Sequence, residues 1–154
     1  APFKKLEELD LPKAITNAGV KHLAPLTKLT KLDLSVTKVT DAGLKDLAPF
    51  KSLTALNLRD TAVTDAGVKD LVPLKALAEL NLSGTRVTDA GLKEVVKLEA
   101  LVDLDLSSTR VTDAGLKELA ALAKATSIDL TSTRVTAAGA KDLQATLPKC
   151  TVRR

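Results

Sequence analysis

The chain has 154 residues, 23 basic and 19 acidic side chains for a net charge of +4, and 45% apolar residues, yet only two aromatics, Phe3 and Phe50, and no Met, Trp or Tyr. That length supports one ordinary core, and a core built from Leu, Val and Ala suits a small cross-section copied many times better than an irregular globule. The interleaved charges and missing aromatic platforms argue against a nucleic-acid groove, and no apolar run reaches the roughly 18 residues of a membrane span.

In chain order, Leu6, Leu9 and Leu11 open as a short strand, with Pro12 beside it to hinder edge pairing. A block ITNAGVKHLA follows from Ile15 and returns as VTDAGLKDLA from Val39, VTDAGVKDLV from Val63, VTDAGLKEVV from Val87, VTDAGLKELA from Val111 and VTAAGAKDLQ from Val135. The period is 24 residues, and six of the seven glycines obey it: Gly19, Gly43, Gly67, Gly91, Gly115 and Gly139. A fixed period of roughly 20 to 29 residues marks stacked repeats. Each block reads as a helix with a threonine N-cap (Thr16, Thr40, Thr64, Thr88, Thr112, Thr136), an acid in the first turn (Asp41, Asp65, Asp89, Asp113), and Pro25, Pro49 and Pro73 as stops. Glycine within a helix costs about 0.5 to 1 kcal/mol relative to Ala, so its recurrence at one position predicts a close approach to the neighbouring repeat.

Between the blocks runs L-x-x-L-x-L-x-x-T, from Leu29 to Thr37, Leu53 to Thr61, Leu77 to Thr85 and Leu101 to Thr109. Its alternation reads as a strand with leucines inward. The threonines at 37, 61, 85, 109 and 133 are expected to bond the turn backbone of the adjacent repeat. Leu147, Cys150 and Val152 restate the strand at the C-terminus, making seven strands, with Cys150 in the last of them and Pro148 beside it. Strand, turn, helix and return, repeated, require parallel strands: an α/β, right-handed leucine-rich-repeat solenoid, a horseshoe arc with strands on the concave face and helices on the convex face. One domain spans 1–154, with atypical capping repeats at about 1–14 and 137–154. Ala125 and Ala140 replace core leucines, which makes the C-terminal end the softest.

The T-D-A-G-L-K-x-L-A block joined to L-x-x-L-x-L-x-x-T resembles the ribonuclease-inhibitor-like leucine-rich repeats, in a bacterial variety with Thr in place of the usual Asn or Cys. The resemblance covers essentially the whole chain and implies a protein-binding scaffold acting through its concave strand face. No F-box or other effector domain accompanies it, and substitutions such as Val36, Ala62 and Thr146 look like natural drift.

Catalysis finds no support. The lone histidine, His22, sits on the outer face of the first repeat, and the lone cysteine, Cys150, in the last; five or six strand spacings hold them at least roughly 25 Å apart, so neither a Cys-His pair nor a His-Cys metal site can form, and no cofactor is implied. The chemistry-bearing side chains lie on the outward strand positions: Glu8 and Asp10, Lys31 and Asp33, Ala55 and Asn57, Glu79 and Asn81, Asp103 and Asp105, Ser127 and Asp129. Asp105 and Asp129 fall on adjacent rungs about 4.8 Å apart, but an open sheet lacks the pocket that glycoside chemistry uses. The plainer expectation is that these acids and amides accept hydrogen bonds from Ser35, Ser83, Ser107 and Thr131. The sharper one is a binding face of Lys31, Asp33, Asn57, Arg59, Glu79, Asn81, Asp103, Asp105 and Asp129 for a polar or basic protein partner, sensitive to salt. Lys38, Arg86, Arg110 and Arg134 form a flanking basic ridge, expected to neutralise the strip. A monomer is expected, with no membrane insertion, and the absence of cystines and of a visible signal segment points to the cytoplasm. A spacer or assembly segment of a larger protein is the alternative; a small-ligand or carbohydrate binder comes third because aromatics are lacking.

Overall fold

A computed structural model describes residues 6–154; the N-terminal part of the expected first cap, 1–5, lies outside them. Seven three-residue strands form one parallel sheet in chain order: β1 (Glu8–Asp10), β2 (Lys31–Asp33), β3 (Ala55–Asn57), β4 (Glu79–Asn81), β5 (Asp103–Asp105), β6 (Ser127–Asp129) and β7 (Thr151–Arg153). Between them run α1 (Asn17–Lys21), α2 (Asp41–Leu44) with a 3₁₀ turn (Lys45–Leu47), α3 (Asp65–Leu71), α4 (Asp89–Val95), α5 (Asp113–Leu119) and α6 (Ala137–Thr146). The sheet is open, and the chain is a leucine-rich-repeat solenoid arc with the strands inside and the helices outside.

The architecture follows from the columns. Each of β2 to β6 buries its central residue and turns its flanking residues outward, so Leu32, Leu56, Leu80, Leu104 and Ile128 stack down the core, and Leu9 and Val152 at the two edges are partly buried. Further columns lie beneath: Leu34, Leu58, Leu82, Leu106 and Leu130; Val39, Val63, Val87, Val111 and Val135; and the helix positions Leu47, Leu71, Val95, Leu119 and Leu143. Phe50 is wholly buried where other repeats place Leu74, Leu98 and Leu122. Each buried leucine removes surface worth about 1.5 to 3 kcal/mol from water, and each touches its own copy above and below, which is how a core without large residues closes.

The threonine column departs from expectation. Thr37, Thr61 and Thr85 donate to the carbonyls of Leu34, Leu58 and Leu82 at 2.7, 2.7 and 2.6 Å, and Thr109 and Thr133 repeat the contact. Each bond closes a turn within its own repeat, three residues back. Neighbouring turns are joined instead by backbone: Val36, Asp60, Gly84 and Ser108 donate their N–H groups to Arg59, Ser83, Ser107 and Thr131, at 2.8 to 2.9 Å. To aim that N–H, the donor residue takes a left-handed conformation at Val36 (φ 57°), Asp60 (54°), Gly84 (67°) and Ser108 (57°), and Ser132 (59°) shares it. At Val36 a β-branched residue stands in a conformation that suits glycine.

The glycine column meets its prediction, with an added cause. A Cβ on Gly91 or Gly115 would stand 2.5 Å from Oδ1 of Asp65 or Asp89, and Gly67 and Gly139 face Asp41 and Asp113 in the same way. Those carboxylates are inter-repeat clamps: Asp65 takes the Thr88 N–H at 2.8 Å and the Thr88 hydroxyl at 2.7 Å. Asp41, Asp89 and Asp113 hold Thr64, Thr112 and Thr136 identically. With its proton given to the acid, the Thr88 oxygen is free to accept from Ala90 N–H and cap α4. In the first repeat Asn17 substitutes for the acid, donating to Thr40 Oγ1 at 2.9 Å and accepting Thr40 N–H. Thr40 then makes no side-chain cap, and α2 has four residues where α3, α4 and α5 have seven.

Candidate functional site

The outward strand positions gather into one shallow groove. It has a volume of about 510 Å³ and runs along the concave face from Glu8 and Asp10 to Asp129 and Arg153. Strand register sets two columns in it: Glu8, Lys31, Ala55, Glu79, Asp103, Ser127 and Thr151 in one, Asp10, Asp33, Asn57, Asn81, Asp105, Asp129 and Arg153 in the other. Eight of the nine predicted face residues line the groove: Lys31, Asp33, Asn57, Glu79, Asn81, Asp103, Asp105 and Asp129. Arg59 does not. It follows β3, out of the alternation, and reaches Asp60 at 3.1 Å instead. Arg153 belongs to the groove and is absent from the sequence-based set; the register of Val152 against the leucine column was the signal that could have placed it.

The inner column is built by its backbone. Oδ1 of Asp33, Asn57, Asn81, Asp105 and Asp129 accepts the N–H two residues on, at 2.7, 3.0, 2.9, 2.8 and 2.8 Å. The expected acceptor role holds, but the donor is mostly the peptide; only Ser83 adds its hydroxyl, at 2.7 Å to Asn81. Each Asx turn fixes its side chain and leaves one terminal atom over, a carboxylate oxygen at Asp33, Asp105 and Asp129 and an amide nitrogen at Asn57 and Asn81. Asp33 spends that oxygen on Asn57 Nδ2 at 2.9 Å, Glu8 pairs with Lys31 at 2.9 Å, and Asp129 has Arg153 at 3.9 Å. Lys31 is raised above its ordinary range by the hydrogen bond and charge of Glu8. No ion pair among the described residues engages Glu79, Asp103 or Asp105. The lining thus holds three acids to one base over β1 to β3 (Glu8, Asp10 and Asp33 against Lys31) and four acids to none over β4 to β6 (Glu79, Asp103, Asp105 and Asp129), so it is most strongly anionic over β4 to β6.

The ridge of Lys38, Arg86, Arg110 and Arg134 lies outside the groove lining, anchored by backbone bonds to Ile15, Val63, Val87 and Val111 at 2.9 to 3.1 Å. All four side chains are exposed, and among the described residues none lies within salt-bridge distance of a carboxylate. The ridge therefore makes no direct ion pair with the strip. The column sits several residues past the strand and projects to the rim.

The remaining residues with chemistry are dispersed. His22 is exposed at the end of α1. Cys150 is buried immediately before β7 rather than within it, and burial raises its thiol above the ordinary range, Asp103 adding to the effect. No group of three or more potential metal ligands occurs among the described residues, and no helix there is long and apolar enough to cross a membrane.

The profile of Zer-1-like leucine-rich repeats matches residues 20–136. The chain belongs to this leucine-rich-repeat family. No curated protein sequence matches it. Among solved structures, this leucine-rich-repeat chain is similar to internalin C2 of Listeria monocytogenes, at 24% identity and a TM-score of 0.69, over 86% of this chain and 54% of that one. The functional domain of InlJ from the same organism gives 24% and 0.68, over 97% and 29%, and a leucine-rich-repeat protein of Leptospira interrogans gives 21% and 0.62, over 98% and 49%. At these identities the likeness is one of fold. The chain spans about half the length of these structures, or less.

Proposed function

We propose that this chain is a protein-binding scaffold without catalytic activity, and that its concave groove is the binding face. The observation that carries this is the unpaired acidity of β4 and β5. Glu79, Asp103 and Asp105 stand on a rigid sheet without an ion-pair partner, and the inner-column side chains beside them are locked by Asx turns. Preorganised carboxylates on a shallow open surface suit the basic face of a folded partner, with Asp129 and Arg153 at one end and Arg86, Arg110 and Arg134 along the rim. A groove this polar and lacking aromatics gives modest affinity and strong electrostatic steering. The whole of 1–154 acts as one domain and as a monomer. The likeness of its T-D-A-G-L-K blocks to ribonuclease-inhibitor-like repeats of bacterial type supports this reading.

Capture from a lysate of the encoding organism, native chain against an Asp105→Lys, Asp129→Lys variant, tests this. A partner retained at low salt, weakened at moderate salt and lost with the variant is the expected outcome; a partner held equally by both chains overturns the placement. The salt dependence follows from a Debye length of about 10 Å at 0.1 M, comparable to two rungs.

A further inference from the structure

The final repeat carries a substitution that the binding face does not use. Twenty-four residues apart, the position five after the conserved glycine holds Ala24, Ala48, Val72, Val96 and Ala120, and then Gln144. Its carboxamide makes three hydrogen bonds at the sheet's end. Nε2 donates to the carbonyls of Cys150 at 2.6 Å and Leu147 at 3.2 Å, and Oε1 accepts the Val152 N–H at 3.1 Å.

These contacts match those of a strand. Along β7, Thr151 N–H bonds Thr126 and the Arg153 carbonyl accepts from Leu130, each at 2.8 Å, so both face β6. Alternation turns the N–H and C=O of Val152 to the opposite, outer side. By register Cys150 is the counterpart of Thr126 and, further back, of Thr30. The Thr30 carbonyl takes the N–H groups of Thr54 and Ala55 from the next rung, at 2.8 and 3.0 Å. At Cys150 the Gln144 amide takes that place, donating where the next strand's peptide donates and accepting beside it. A second change in the same repeat agrees: Ala137 replaces the clamp acid of Asp41, Asp65, Asp89 and Asp113, at the one helix followed by a bare strand with no further N-cap threonine to hold.

We propose that Gln144 is a surrogate strand that closes the β7 edge and keeps it from pairing with the same edge of a second copy. That occupant is favoured because the outward N–H and C=O of one Val152 are complementary to those of another across a two-fold axis, as in an antiparallel hydrogen-bonded pair. In that arrangement Arg153 faces the partner's Thr151, so no like charges meet. An unsatisfied edge is otherwise an open template for association.

The test uses the full chain. Amide exchange read by NMR in the native protein shows Val152 protected alongside Thr151, although Val152 faces outward. Read at concentrations low enough to keep the variant monomeric, Gln144→Ala speeds Val152 exchange by about tenfold, the loss of one net hydrogen bond, and leaves Thr151 slow. Light scattering over a concentration series keeps the native chain at monomer mass and carries Gln144→Ala toward a dimer that grows no further. Fast Val152 exchange in the native protein overturns the proposal without recourse to a variant. So does a folded Gln144→Ala chain that stays monomeric throughout, or one that grows past the dimer.

Discussion

At the scale of single residues, the least comfortable position is Val36. Its backbone lies at φ 57°, and it is the one large apolar side chain that the described surface leaves open, at 41% exposure. A left-handed conformation costs an L-residue roughly 1 to 2 kcal/mol, less for Asn, whose side chain bonds locally. Val36→Asn is therefore expected to raise unfolding stability by about 1 kcal/mol, read from the urea midpoint at unchanged slope. Gly84 stands at the equivalent place with the same geometry, but a side chain there meets Asp60 Oδ1, so Gly84→Asn destabilises. Opposite signs at equivalent positions separate conformational strain from crowding.

At the scale of elements, helices are held to helices by a carboxylate, a threonine and a glycine acting together. Asp65→Ala strands the Thr88 amide and hydroxyl and costs about 1 to 3 kcal/mol; Gly91→Ala drives a methyl into the same carboxylate and costs a similar amount. With Asp65 gone the methyl at 91 loses its closest clash and meets only Val87 Cγ1 at 3.0 Å, so the double variant loses less than the sum, and a coupling of about 1 kcal/mol by urea unfolding is expected. Additive losses would show that the two contacts are independent. The clamp is also a proton-sensitive device at Asp113, whose pKa is lowered below 3.8, first by the Thr136 hydroxyl and then by its backbone N–H. A depressed acid contributes stability that is present above its unfolded value and lost as pH falls through the folded one. Asp113→Asn, which copies the neutral pairing of Asn17 with Thr40, should flatten the stability profile below about pH 4, where the native chain still declines. An unchanged acid slope would assign that decline to other groups.

At the scale of the whole molecule, much of the architecture is legible in the sequence and little of its bonding is. The arc, seven strands and leucine columns can be read because every rung repeats one pattern, so a side-chain period of two and a repeat period of 24 residues carry the register. The recurrence of glycine signals crowding, but it does not name the crowding atom: Asp65 and Gly91 are 26 residues apart, and only the offset between rungs brings them together. The same limit explains the threonines at 37 to 133, whose reach across a rung cannot be judged without the rung's rise. In the groove, Asp103 and Asp105 follow from alternation alone, whereas Arg59 and Arg153 exchange roles because both sit where alternation begins or ends. Gln144 stands out in the sequence as the one polar residue in a column of Ala and Val.

The clamp also bears on how such a molecule can change length. Each interior 24-residue unit carries an Asp that holds the following rung and, one residue before it, the Thr by which the preceding rung holds it, with the accommodating Gly two residues after. A unit duplicated in frame arrives with both halves of the joint already matched, upward and downward, and needs no compensating change elsewhere. Copy number is then a nearly free variable for interior rungs: lengthening or shortening the arc moves the charged groove along it while leaving every joint intact.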